Sequence, residues 1–504
     1  MTILTVDLRR YPKLWLLAGV SLFLVSNGNW TISLAAWLAP VFLLRFARTC
    51  KAMVSIPVLL LFFPVATYFM LYGIIPPNIG ALTYIFTVYF GLLWLLPYIV
   101  DRLLYESGRG FLMTLVFPAT AVAVEYLNGL FFGTWGAIAY TQAGNLPFLQ
   151  MMSVTGMWGP TFLVMWLGPV VNWAWEREWR LEDTRSGLAI YVGIVALVFL
   201  AGGARLAFSP QETETRKVAV VIGNQELKTY KDELNKTGHE SLAELARADA
   251  EKARVISNDL VVGILNKSKI QAQTGAEFII WPESFARVME SDEAGVLRLA
   301  GEFARSESVH LQIAYYRYPP DFPDTYARNK TVMFLPNGKI AWQYIKSSLV
   351  PGVLEIPGDW IIPAVKSGED NLGTSICYDM DYPNLIRQAG QKDIELMIVP
   401  SWDWAAINPL HTEMAVFRAI ENGFSMVRAT ADGTSIAVDP YGRVMSQMDS
   451  FASKDGVMSA NLPVASRRTV YSFIGDLFAW LCLAAMLMFV TKPVYDRIKQ
   501  RGAG

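Results

Sequence analysis

Three functional groups in this chain could together make an acyl-transfer site: the carboxylate of Glu283, the ammonium of Lys346 and the thiol of Cys377. Each closes a short run of strand character, 277–281, 341–345 and 374–376. Polar groups just past the strand ends of an α/β sheet converge in one crevice. There the carboxylate can take the thiol proton, and the thiolate can attack a carbonyl to form a thioester. The ammonium, helped by the backbone N–H after Cys377, can hold the oxyanion. The carboxylate can then deprotonate the nucleophile that accepts the acyl group. Singly, each residue has an ordinary fate. A free cysteine packs as a small hydrophobe, a hairpin lysine points to water, and a glutamate after Trp-Pro caps a helix. Three at matching strand ends argue for chemistry. Cys50 and Cys482 lie in or beside apolar segments, so Cys377 has no disulfide partner in its own domain.

The elements that must position these groups follow from the pattern after Lys217. The run 217–223 is β-branched and ends in Gly-Asn, a strand signature. Further strands are expected at 277–281, 309–316, 372–377, 395–400, 424–430 and 434–439, with a hairpin over 330–345 turning at 336–339. Helices fit 240–268, 293–307, 383–391 and 410–422. A strand-rich α/β sandwich is the expected class.

Composition sets the setting. The 504-residue chain is 53% hydrophobic and 17% charged, too apolar for an ordinary soluble protein. Its net charge of −1 gives no reason to expect nucleic acid. Seven apolar stretches, near 12–26, 30–47, 54–75, 80–100, 110–131, 150–175 and 187–207, precede the polar region, and an eighth follows at 471–491. The organisation expected is a membrane domain of about eight helices, with seven spans in 1–210, a catalytic domain at 211–466, and a last span with a tail at 467–504. Basic clusters alternate with nearly uncharged loops: Arg9, Arg10 and Lys13; Arg45, Arg48 and Lys51; Arg102 and Arg109; Arg177, Arg180 and Arg185; Lys492, Arg497, Lys499 and Arg501. The positive-inside rule then puts both termini in the cytoplasm and the catalytic domain outside.

At Trp281-Pro-Glu283, at Lys346 and at Cys377-Tyr-Asp379 the chain resembles the nitrilase superfamily, whose sites use a Glu-Lys-Cys triad. The resemblance implies an αββα sandwich. Spans on both sides of the domain, the segment from Pro118 through Glu125 to Gly136, and the stretches from His411 to Gly433 and Asp439 to Arg443 resemble its membrane-bound branch, the apolipoprotein N-acyltransferases. That implies a multi-pass protein of the bacterial inner membrane, acting as a monomer without metal or organic cofactor. Its acyl donor would be a phospholipid and its acceptor the N-terminal amine of a diacylated apolipoprotein. The resemblance also implies that Glu355 orients the lysine and the amine, while Tyr378 and Asp379 support the nucleophile. The chain departs from the family pattern at Asp379, where glutamate is usual, and in lacking histidines after the lysine. A membrane-tethered amidase and a non-catalytic lipoprotein-binding protein on the same scaffold are the alternatives.

Weaker candidates remain. Glu125 sits in an apolar span, where a carboxylate marks either function or a hydrogen bond between helices. Trp402 and Trp404 form an apolar loop suited to acyl chains, and Trp135 and Trp158 read as an interfacial belt. His411 reads as a residue at a helix start. His239, His310 and His411 are too scattered for metal-ligand spacing.

Overall fold

Apolar runs near twenty residues satisfy their backbone polar groups internally only as helices. The computed structural model describes residues 11–75, 79–105, 110–210, 214–453 and 456–502, with backbone alone for 492–502. Arg9, Arg10 and Arg109 lie outside these residues, as do the side chains of the basic C-terminal cluster. The chain divides into two units, Met1–Ser209 with Ile474–Gly504, and Pro210–Phe473.

The first unit is helical: α1 (Pro12–Leu24), α2 (Ser33–Thr49), α3 (Ala52–Met70), α4 (Leu82–Leu104), α5 (Val116–Phe132), α6 (Trp158–Glu176), α7 (Leu181–Ala207) and a last helix, Leu477–Gly502. Each expected apolar stretch supplies one of them. Among the described residues, four helices are long and apolar enough to cross a membrane: Ala52–Met70, Leu82–Leu104, Phe111–Phe132 and Leu181–Ala207. The stretch expected as one span over 150–175 is instead a pair, Leu146–Thr155 and Trp158–Glu176, bent by 116°. The bend falls at Gly156, whose φ of 63° leaves the helical region. Arg48 ties three helices together: it makes a bidentate pair with Asp101 of α4 (2.7 and 2.9 Å) and reaches Glu176 of α6 (3.1 Å). Trp158 departs from the belt expectation. It is fully buried, and its indole N–H donates to Asp476 at 2.7 Å.

Among its described residues the second unit holds thirteen strands: β1 (Thr215–Val221), β2 (Phe278–Ile280), β3 (Ala286–Met289), β4 (His310–Tyr318), β5 (Arg328–Phe334), β6 (Ile340–Ile345), β7 (Ala364–Ser367), β8 (Asp370–Thr374), β9 (Leu396–Trp402), β10 (Ser425–Ala431), β11 (Thr434–Val438), β12 (Val444–Asp449) and β13 (Val457–Pro463). One sheet runs β13-β1-β2-β4-β5-β6, with β3 also paired to β4, and the other runs β12-β11-β10-β9-β8-β7. At its centre each sheet is parallel, β1-β2-β4 and β8-β9-β10, and these strands read as continuous apolar runs because both faces are covered. The sheets share one hydrophobic core. Gln312 of β4 donates to Thr374 of β8 across it at 2.9 Å.

Crossover helices connect the parallel strands: α8 (Asn224–Lys236), α9 (Leu242–Ala248), α10 (Ala250–Gln273), α11 (Glu293–Glu307), α12 (Pro383–Gln391) and α13 (Leu410–Asn422). The long helix expected over 240–268 breaks at Asp249, whose side chain accepts the Lys252 N–H and caps α10. Strands β3, β7, β12 and β13 carry weak or interrupted apolar alternation and escape a sequence reading.

Gly423 ends α13 at φ 73° and turns the chain into β10. A Cβ there would lie 1.8 Å from the Arg467 carbonyl oxygen. Gly368, in the turn joining β7 to β8, has φ 64° but open space around it. Gly368→Ala is expected to cost about 1 kcal/mol, the left-handed penalty alone. Gly423→Ala is expected to cost at least ~3 kcal/mol, because backbone must also shift. Thermal unfolding of the two purified variants checks the order.

Candidate active site

The parallel strands deliver their following residues to one end of the sandwich, as open α/β sheets do. Glu283 follows β2, Lys346 follows β6, Cys377 follows β8, and Trp402 closes β9. The sandwich brings the three sequence candidates together in its interior, all with under 5% of their surface exposed.

Glu283 is held at both oxygens. Oε1 accepts from Lys346 Nζ at 2.7 Å and from Asn329 Nδ2 at 2.7 Å. Oε2 accepts the Trp402 N–H at 2.8 Å. The thiol of Cys377 donates to the Trp402 carbonyl at 3.7 Å. Trp402 therefore presents one main-chain group to the carboxylate and the other to the nucleophile. Burial alone would lower the Lys346 ammonium, but Glu283 beside it, with Cys377 and Glu355 adding, holds it above its ordinary range. Burial pushes the Cys377 thiol well up, and the Glu283 charge pushes the same way, while Lys346 pulls it down. The free thiol is thus the resting form, and its proton must leave during reaction.

Cys377 has φ 47°, a left-handed conformation rare for a residue with a side chain. It opens the short 3-10 turn Cys377–Asp381. Asp379 pins that turn: its carboxylate accepts N–H groups from Ile376 (3.0 Å), Ser347 (3.1 Å) and Ser348 (2.6 Å) and the hydroxyl of Tyr344 (2.8 Å). Burial raises the Asp379 pKa to about 6 against these stabilising donors. One side chain thereby fixes the cysteine turn to the segment after the lysine strand.

The other candidates are placed as follows. Glu355 is buried, and its burial raises its pKa against the opposing pull of Lys346. Tyr378 is buried edge-on against Tyr382, 5.4 Å between ring centres. The half-buried Trp402 ring donates to Asp432 at 3.0 Å and lies under the Arg287 guanidinium at 5.3 Å. Trp404 is half-buried on the same loop. Glu125 belongs to the helical unit, where its oxygens accept from the Ile138 N–H and the Thr161 hydroxyl, each at 2.8 Å.

Two features escape sequence reasoning. Asn329, on β5, donates to Glu283 and passes unnoticed because no residue pattern marks it. The second is a buried polar cluster. Cys377, Asp403 and His411 offer atoms within 4.8 Å of one another, although their sequence spacing suggests no ligand set. The Arg428 guanidinium lies on Asp403 at 2.8 and 3.1 Å and beside His411 at 2.9 Å, so a cation already fills this position.

The carbon-nitrogen hydrolase family profile matches residues 217–471. That of the apolipoprotein N-acyltransferase N-terminal domain matches residues 17–170. An apolipoprotein N-acyltransferase of Geobacter metallireducens is 24% identical over 435 residues, covering 79% of this chain and 78% of the relative. One of Rhodopseudomonas palustris is 26% identical over 439 residues, covering 80% and 77%. Among solved structures, an amidase from Nesterenkonia sp. is 17% identical, covers 51% of this chain and 94% of its own, and has a TM-score of 0.36. With one match spanning half its length and the other its helical N-terminal part, the chain belongs to the carbon-nitrogen hydrolase family, in the arrangement that carries an apolipoprotein N-acyltransferase N-terminal domain.

Proposed function

We propose that this protein is an apolipoprotein N-acyltransferase working through a Glu283-Lys346-Cys377 triad. The observation that carries the reading is the buried Glu283 carboxylate, bonded to Lys346 and to the residue that accepts the Cys377 thiol. The names of the relatives over four-fifths of the chain support the substrate class.

Glu283 takes the thiol proton as the sulfur attacks an ester carbonyl of a membrane phospholipid. The tetrahedral oxyanion forms beside the Lys346 ammonium, a fixed positive charge in a site closed to water. Collapse expels the lysophospholipid alkoxide, which takes the proton from Glu283, and leaves a thioester on Cys377. The second half runs in reverse. Glu283 accepts a proton from the α-amine of a diacylglyceryl-cysteine as it attacks the thioester, and the leaving thiolate recovers that proton. Glu355, beside Lys346, orients the ammonium and the incoming amine. The Trp402 and Trp404 loop flanks the acyl chain. The protein acts as a monomer in the bacterial inner membrane, with both termini cytoplasmic and the catalytic unit outside.

Purified protein incubated with phospholipid bearing a labelled acyl chain is expected to acquire label that hydroxylamine releases. Cys377→Ser abolishes it. Lys346→Met lowers its rate about 10²–10³-fold, the usual cost of losing an oxyanion partner. No label on the wild-type protein sinks the proposal. For orientation, a membrane-impermeant maleimide added to intact spheroplasts is expected to modify Cys377 once hydroxylamine has cleared the thiol, and to spare Cys50. Modification only after cell lysis would reverse the assigned sidedness.

A further inference from the structure

Behind Cys377 the chain closes a ring of buried groups that the triad chemistry does not use. Asp381 ends the same 3-10 turn that Cys377 begins. Its Oδ1 lies 3.3 Å from Nε2 of His411, in the first turn of α13. The other ring nitrogen, Nδ1, lies 2.7 Å from Oδ1 of Asp403. Asp403 directly follows Trp402, whose carbonyl accepts the Cys377 thiol. Its N–H donates to the Ala431 carbonyl at 2.9 Å and its carboxylate takes the Arg428 guanidinium. The ring thus runs from the Cys377 turn through Asp381, His411, Asp403 and Trp402 back to the sulfur.

The charges around the ring bear on its protons. Nδ1 lies 2.7 Å from an Asp403 oxygen and 2.9 Å from the Arg428 guanidinium, which can only donate. Nε2 faces Asp381 at 3.3 Å, an ion-pair distance. The charged groups facing the imidazole are Asp381, Asp403 and Arg428, and all are buried. Two anions and two cations balance when the imidazole is charged; without that charge a buried anion stays uncompensated. Burial and Arg428 lower the His411 pKa, but the two aspartates outweigh them and raise it, in the direction the geometry requires.

We propose that His411, bridging Asp381 and Asp403, is a positioning residue that locks the Cys377 turn to the Trp402 loop and places a further fixed positive charge beside the nucleophilic sulfur. The other cations acting there are Lys346, which also has to serve the oxyanion, and Arg428, which is paired with Asp403. His411 works from the opposite partners and stays with the enzyme through both half-reactions. The inference rests on Cys377 being the nucleophile, and its test needs only the thiol.

Full-length protein in detergent is alkylated with iodoacetamide from pH 6 to pH 10, and modification of the Cys377 peptide is followed by mass spectrometry. His411→Gln removes a charge within 4.8 Å of the sulfur, and is expected to move the alkylation midpoint up by about one pH unit or more, roughly a tenfold slower reaction below it. Asp381→Asn removes an anion that holds His411 charged, and is expected to move the midpoint up as well, by less. Thr412→Ala, a buried neighbour that carries no charge, is expected to leave the midpoint in place, which loss of packing alone would not do selectively. An unchanged midpoint in His411→Gln, or equal shifts in all three variants, overturns the proposal. If His411→Gln does not fold, Asp381→Asn against Thr412→Ala decides, by a rise or by its absence. A protein that shows both shifts but takes no acyl label keeps the His411 role and loses the acyltransferase reading.

Discussion

The carboxylate of Glu283 lies inside the sandwich and takes hydrogen bonds from Lys346, Asn329 and the Trp402 main chain. An ionised carboxylate removed from water persists only when such partners replace its hydration. Those partners come from the end of β6, from β5 and from β9, so both sheets must stack in register before the charge is satisfied. Cys377 joins the same arrangement through Trp402. Satisfying one buried acid therefore assembles base, oxyanion partner and nucleophile at once.

The nucleophile's backbone needs separate support. A left-handed φ at a residue with a side chain is unfavourable by roughly 1–2 kcal/mol, and Cys377 has one. Asp379 supplies much of the restraint, gathering four donors from both sides of the turn. The short aspartate side chain reaches all four. The Asp381-His411-Asp403 ring braces the other end of the same turn. The turn is thus held by two carboxylates, one on each side.

The parallel strands and the three triad candidates are legible in the sequence, because buried parallel strands are continuous apolar runs, Glu283 and Cys377 stand just beyond two of them, and Lys346 follows the hairpin strand β6. Asn329 is not, since a polar residue inside β5 looks like any outward-facing one until the partner strand is known. The link from His411 to Cys377 spans a helix start and a strand end and has no local spacing to betray it. The break at Asp249 and the bend at Gly156 are local features that apolar periodicity passes over. In the sequence Glu125 reads equally as a functional group and as a hydrogen bond linking helices; its oxygens bridge α5 to α6 and to the 138–142 segment.

The central claim is that a thioester on Cys377 passes its acyl group to an amine. A chase measures it most directly: protein carrying labelled acyl chain is freed of lipid, mixed with a diacylglyceryl-cysteine peptide, and followed in time. Label is expected to leave the protein only when peptide is present and to appear as an amide on its N-terminus. Loss of label to free fatty acid at the same rate with or without peptide would contradict it and mark the protein as a hydrolase.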